Sequence, residues 1–217
     1  ASTLSPRNLR QTIVGGYIQD DWRWKPNLTL NLGLRYEMVT VPTETNGKLS
    51  VLGNLSDATP HLGDPFFSNP TKRNFEPRIG FAWDPRGNGK MAILGGVGVF
   101  DVLPLPYQFT LLTTLAAPFF QYTSINNPGT GSFYNNLPAL PSNKLRATYI
   151  DPKPKRNYVM QYNLNLQYQL TPSLTSLLAY VGSRGIHQPY RPDDADIVLP
   201  TLSSAGYLFP KVDVLGN

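Results

Sequence analysis

The chain has 217 residues, a net charge of +5, 41% hydrophobic residues and no cysteine, so disulfide frameworks, thiolate metal sites and thiol nucleophiles are excluded. Its longest apolar-or-glycine run, Met91 to Phe100, is far below the roughly 18 residues of a membrane-spanning helix. Lysine and arginine are scattered, clustering only at Lys72-Arg73 and from Lys153 to Arg156, which reads as solvated loop charge and predicts no nucleic-acid partner.

The N-terminus, Ala1 to Pro6, lacks a charged n-region and an apolar h-region, so no secretion signal is visible; if the protein reaches an outer membrane, its signal is expected upstream of Ala1. A weak alternating pattern then runs from Ile13 to Trp24. After Lys25-Pro26-Asn27, the stretch from Leu28 to Met38 places an apolar residue at every even position and a polar residue or glycine at every odd one. Side chains alternate across a strand, so Leu28, Leu30, Leu32, Leu34, Tyr36 and Met38 share one face. Thr29, Asn31, Arg35 and Glu37 share the other. Eleven residues match the roughly 9 to 11 that a tilted strand needs to cross a bilayer, whereas soluble strands usually stop near 5 or 6.

Further along, Arg78 to Asp84 carries Ile79, Phe81 and Trp83 on one face, and Met91 to Phe100 follows the turn formers Pro85 to Gly89. Tyr158 to Leu170 repeats the clean alternation, with tyrosine, methionine and leucine against Gln161, Asn163, Asn165, Gln167 and Gln169. Leu174 to Ser183 mixes apolar residues onto both faces, so its pattern does not orient it. Short turns rich in Pro, Asn and Gly join these strands into hairpins. The expected fold is all-β: antiparallel hairpins at about 13–38, 78–100 and 158–183, separated by long loops at 39–77, 101–157 and 184–217. Short turns on one side and long loops on the other are the organisation of outer-membrane barrels.

The residues themselves support this. Gly16-Tyr17-Ile18-Gln19-Asp20-Asp21-Trp22, followed by Lys25 to Glu37, resembles a hairpin in the barrels of TonB-dependent receptors, above all the Oar-like subgroup. Asn74 to Pro85 with Gly95 to Asp101, and Tyr162 to Gln167 with Ala179 to Gly185, resemble the next two hairpins in family order. The resemblance implies the middle part of a 22-stranded barrel spanning residues 1–217, with no plug domain in the sequence. It also implies a Gram-negative outer-membrane location and uptake powered through the plug by an inner-membrane energising complex. The implied partners are the lipid bilayer, the remaining barrel strands and plug of a parent chain, and a small-molecule or glycan substrate that the sequence does not choose.

Six strands fall short of the eight in the smallest such barrels, and an open edge cannot stay in lipid with its backbone groups unpaired. Either a longer parent chain supplies the neighbours, or the piece folds alone as a sandwich that buries its leucines. That second possibility makes a soluble all-β binding or hydrolytic protein the alternative function.

No catalytic, cofactor or metal residues are expected, and the chain is read as no enzyme. Adjacent Asp20 and Asp21 point to opposite faces and cannot flank a sugar together. Arg35 with Glu37, and Arg78 with Asp84, are expected to pair on the lumenal face. Ser183 lacks the glycine two positions before it that a nucleophile elbow requires, and Gly89-Lys90 lacks the rest of a phosphate-binding loop. His61 and His187 have no companions at zinc spacing, while Asp193, Asp194 and Asp196 lack the EF-hand glycine and glutamate. Gly95, Gly96 and Gly98 are expected to serve close packing or a bend. The aromatic stretch from Pro104 to Phe120, with Tyr107, Phe109 and Phe119, is expected to pack a loop onto the rim.

Overall fold

The computed structural model describes residues 6–120, 146–191, 201–204 and 206–208. The chain divides into two units, residues 1–187 and 188–217. In chain order the first holds β1 (Leu9–Arg10), β2 (Ile13–Lys25), β3 (Leu28–Val39), β4 (Thr43–Glu44), β5 (Ser50–Val51), β6 (His61–Leu62), β7 (Phe75–Trp83), β8 (Met91–Asp101), α1 (Pro106–Thr114), β9 (Tyr158–Thr171) and β10 (Leu174–Ile186). The second holds a small antiparallel hairpin, β11 (Thr201–Ser203) and β12 (Gly206–Leu208).

The six long strands form one antiparallel sheet in the order β2-β3-β7-β8-β9-β10. They are 13, 12, 9, 11, 14 and 13 residues long, each enough to cross a bilayer when tilted. Pro26 and Asn27 alone turn β2 into β3. Between β7 and β8 the Asp84 carboxylate accepts from the backbone N–H groups of Arg86, Gly87 and Gly89. Gly87 and Gly89 sit at φ of 65° and 71°, a region that glycine enters without steric cost.

The hairpin turns are staggered. The row through Leu28 and Trp83, at the ends of β3 and β7, crosses β8 at Ile93, two residues inside the strand, and β9 at Leu166, five residues before its end. Tilted strands in a barrel step past one another in this way. The sheet is not closed: β2 and β10 are its edges.

The hydrophobic core lies away from this sheet. Leu49, Val51, Phe66 and Phe67 are buried together, with Leu9, Val41 and Ile150 packed against them. These residues belong to the segments joining strand ends opposite the short turns. Both faces of the sheet stay open instead, with Leu32, Leu34 and Ile18 at 40%, 42% and 73% exposure on one and Tyr17 and Val181 at 76% and 75% on the other. No second layer covers them among the described residues, so the alternative of a sandwich is not what they form.

Several boundaries differ from the pattern-based reading. β7 begins at Phe75 rather than Arg78, because Tyr36 opposes Phe75 and extends the ladder. β10 continues to Ile186, held by the long partner strand β9. The expected loop 39–77 contains β4 to β6, the loop 101–157 contains α1, and the stretch 184–217 contains β11 and β12. Pro106 at the start of α1 suits a first helical turn, where its missing N–H is not needed.

Candidate functional site

Register carries the alternation of each strand across the whole sheet. On the apolar face, Trp22, Leu30, Phe81, Gly95, Leu164 and Tyr180 form one row. The next holds Asp20, Leu32, Ile79, Val97, Tyr162 and Gly182. Two glycines in these rows make room for rings: a Cβ on Gly95 would lie 2.6 Å from the Phe81 ring, and one on Gly182 would strike Tyr162. This is the close packing expected of Gly95. The register also orients β10, which the pattern alone did not: Leu178 and Tyr180 join the apolar face, while Leu177, Ala179 and Val181 lie on the other.

Aromatic residues gather at the short-turn end. The Trp22 and Trp24 rings lie 6.2 Å apart, Lys25 sits 5.4 Å over Trp24, and Arg86 lies 5.9 Å from the Tyr168 ring. At the opposite end Tyr36 and Phe75 approach to 5.1 Å. Two aromatic bands flanking an apolar one mark the two interfaces of a membrane-crossing sheet.

The polar face holds amides and compensated charges. Arg35 pairs with Glu37, as expected. Arg78 pairs with Glu76 at 2.8 Å, not with Asp84, because β7 ends at Trp83 and Asp84 is drawn into the turn. Asp21 accepts a 2.7 Å hydrogen bond from Asn31 Nδ2. Asp20 lies on the apolar side opposite Leu32, so the two adjacent carboxylates diverge.

At the loop end, Arg156 makes two bonds to the fully buried Asp101 carboxylate, at 2.7 and 2.8 Å, and a third to the Phe75 carbonyl at 2.7 Å. The Asp101 hydrogen bond holds the Arg156 guanidinium above its ordinary pKa. Of the two expected basic clusters, one therefore has a structural job. Buried Glu44 accepts from the backbone N–H groups of Asn8, Asn46 and Lys48 at 2.7 to 2.9 Å. Burial alone would push its carboxyl up, but those N–H groups outweigh it and hold the group below its ordinary range.

The remaining sequence candidates scatter. Ser183 lies within β10 opposite Gln161. His61 is in β6, and His187 contacts the Arg156 carbonyl at 3.0 Å. Among the described residues no group of His, Asp or Glu is placed to hold a metal. Asp193, Asp194 and Asp196 lie outside the described residues. Tyr107 on α1 is exposed. Glu76 and Asn74 are both nearly fully buried; alternation that begins at Arg78 leaves Glu76 outside the strand, and Asn74 precedes β7 and has no periodic signal at all.

A single antiparallel sheet of bilayer-length strands, oily on one side and amide-rich on the other, defines a wall of a membrane-spanning β-barrel. The chain belongs to the family described as the outer membrane beta barrel domain, whose family model matches residues 1–208. Its place is the outer membrane of a Gram-negative bacterium. Over 82 residues it is 35% identical to the TonB-dependent transporter Oar of Myxococcus xanthus, a stretch that covers 38% of this chain and 6% of that protein. No solved structure matches the chain.

Proposed function

We propose that the chain is a wall and vestibule segment of a TonB-dependent transporter for active uptake of a scarce nutrient. Its polar face lines the lumen, its short turns face the periplasm and its long segments form the outer mouth. The observation that carries this reading is the continuous six-strand sheet with one apolar face and, among the described residues, no covering layer. The family and the likeness to Oar point to a transport barrel rather than an enzyme. Transport draws energy from an inner-membrane complex through a plug supplied by the parent chain, and the neighbouring strands come from the same source.

The test is genetic. Deleting the parent gene should abolish growth on a nutrient that is scarce and too large for porins, and deleting the energising complex should abolish it equally. Growth that needs this barrel but survives loss of the energising complex would overturn the proposal.

A further inference from the structure

One carboxylate of the sheet stands on its oily side. The acidic residues of the six long strands are Asp20, Asp21, Glu37, Glu76 and Asp101. Four are compensated: Asp21 by Asn31, Glu37 by Arg35, Glu76 by Arg78 and Asp101 by Arg156. Asp20 has neither a hydrogen bond nor an ion pair among the described residues.

Its surroundings make this costly. Register places Asp20 one row inside Trp22 and two rows from the one that pairs Gly16 with Tyr36, so it lies between the two aromatic bands. Its neighbours on the same face are Ile18 and Trp22 along β2 and Leu30, Leu32 and Leu34 across the ladder. None of them carries a positive charge. An unpartnered aspartate facing hydrocarbon is unfavourable, and ionisable groups at such depth pair with one another. With β3 on one side of the strand, the side still open to Asp20 is the outer edge of β2.

That edge is weakly specified by its other residues. β2 begins Ile13-Val14-Gly15-Gly16, and glycine-rich stretches set their pairing poorly. A slip of one residue would turn the oily face inward, but a slip of two keeps both faces as they are, because the side-chain period is two. Alternation therefore cannot choose between registers two residues apart. A charge pair can, since a slipped register strands both charges in hydrocarbon.

We infer that Asp20 is one half of a cross-strand ion pair on the lipid-facing side, and that the other half is a lysine or arginine on the strand that pairs with the outer edge of β2. The pair locks the register of that strand. The inference rests on the transporter reading for the parent chain that supplies the strand. Lysine and arginine suit the place because their long stems lie along apolar neighbours while the charged end reaches the carboxylate. Positions directly opposite and diagonal are both within such reach.

The experiment is reversible denaturant titration of the full-length parent barrel in lipid vesicles. The strand beside β2 in the parent should carry Lys or Arg opposite Asp20 or two residues to either side. Asp20→Leu should lower the folding equilibrium constant about tenfold or more, the effect of a cation stranded between interface and midplane. Replacing Asp20 and that cation together by leucine should restore the parent value or exceed it. A carboxylate that merely faces lipid predicts the opposite sign, because Asp20→Leu then removes a charge from hydrocarbon and stabilises the barrel. If Asp20→Leu does not fold, recovery of heat-modifiable gel mobility in the double variant carries the test alone. Absence of Lys and Arg from those positions, stability that Asp20→Leu leaves unchanged or raises, or a double variant no better than the single one overturns the pair. Should the pair meet the expectation in a parent whose growth is indifferent to the energising complex, the pair stands and the transporter reading falls.

Discussion

Glu44 shows how much of the loop-end architecture hangs on single polar side chains. Three backbone N–H groups converge on its carboxylate, tying β1 to the segment after β4. Glu44→Ala should destabilise this region by about 1–3 kcal/mol, the cost of leaving buried donors unmet, read as faster hydrogen exchange across residues 41–52. Its pH dependence has a definite sign. Because the folded carboxyl titrates below its ordinary value, the stabilisation is fully present above the unfolded pKa, near 4.3, and is lost as pH falls through the lower folded value. Exchange protection of these residues should hold from neutral pH to about pH 5 and decline below about pH 4. Protection unchanged down to pH 2 in the wild-type protein would contradict this role. Arg35 and Glu37 were legible as partners from spacing alone, since residues two apart on a strand share a face. The true partner of Arg78 was not legible, because strand parity puts residues 76, 78 and 84 on one side until the strand ends, and only the turn removes Asp84.

Individual strands were the most readable level. β3 and β9 alternate cleanly over their length, and short turns of Pro, Asn and Gly leave antiparallel pairing as the simple outcome. β10 was opaque by contrast. Leu177, Leu178, Val181 and Tyr180 are all large and apolar, so period alone cannot orient them, and pairing with β9 decides. This assignment of faces has a measurable consequence at β3. Leu32→Arg, on the apolar face, should destabilise the inserted parent barrel by roughly 2–4 kcal/mol. Asn31→Arg, one residue away on the polar face, should cost much less. Reversible denaturant titration in lipid vesicles makes the comparison, and equal losses would show that the two faces are misassigned.

The sheet as a whole is an incomplete object. β2 and β10 present backbone donors and acceptors along their outer sides, and hydrocarbon offers such groups no partners. The chain expressed alone should therefore remain associated with detergent micelles or aggregate, whereas the parent should insert as a heat-modifiable barrel. Sedimentation in plain buffer distinguishes the outcomes, and a monodisperse soluble monomer would revive the soluble alternative.

Composition and alternation by themselves determined that this protein is built of long two-faced strands suited to a bilayer, because the side-chain period of a strand is a local property written residue by residue. They also placed the short turns, whose backbone demands select their own residues. What only the tertiary structure decided was register: which rows run across six strands, which glycines lie against the rings of Phe81 and Tyr162, and which carboxylate meets Arg78. Those rows align residues far apart in the chain, as Trp22 with Tyr180, and a one-residue slip would exchange the two faces. No local period records that choice; it is made when neighbouring ladders close.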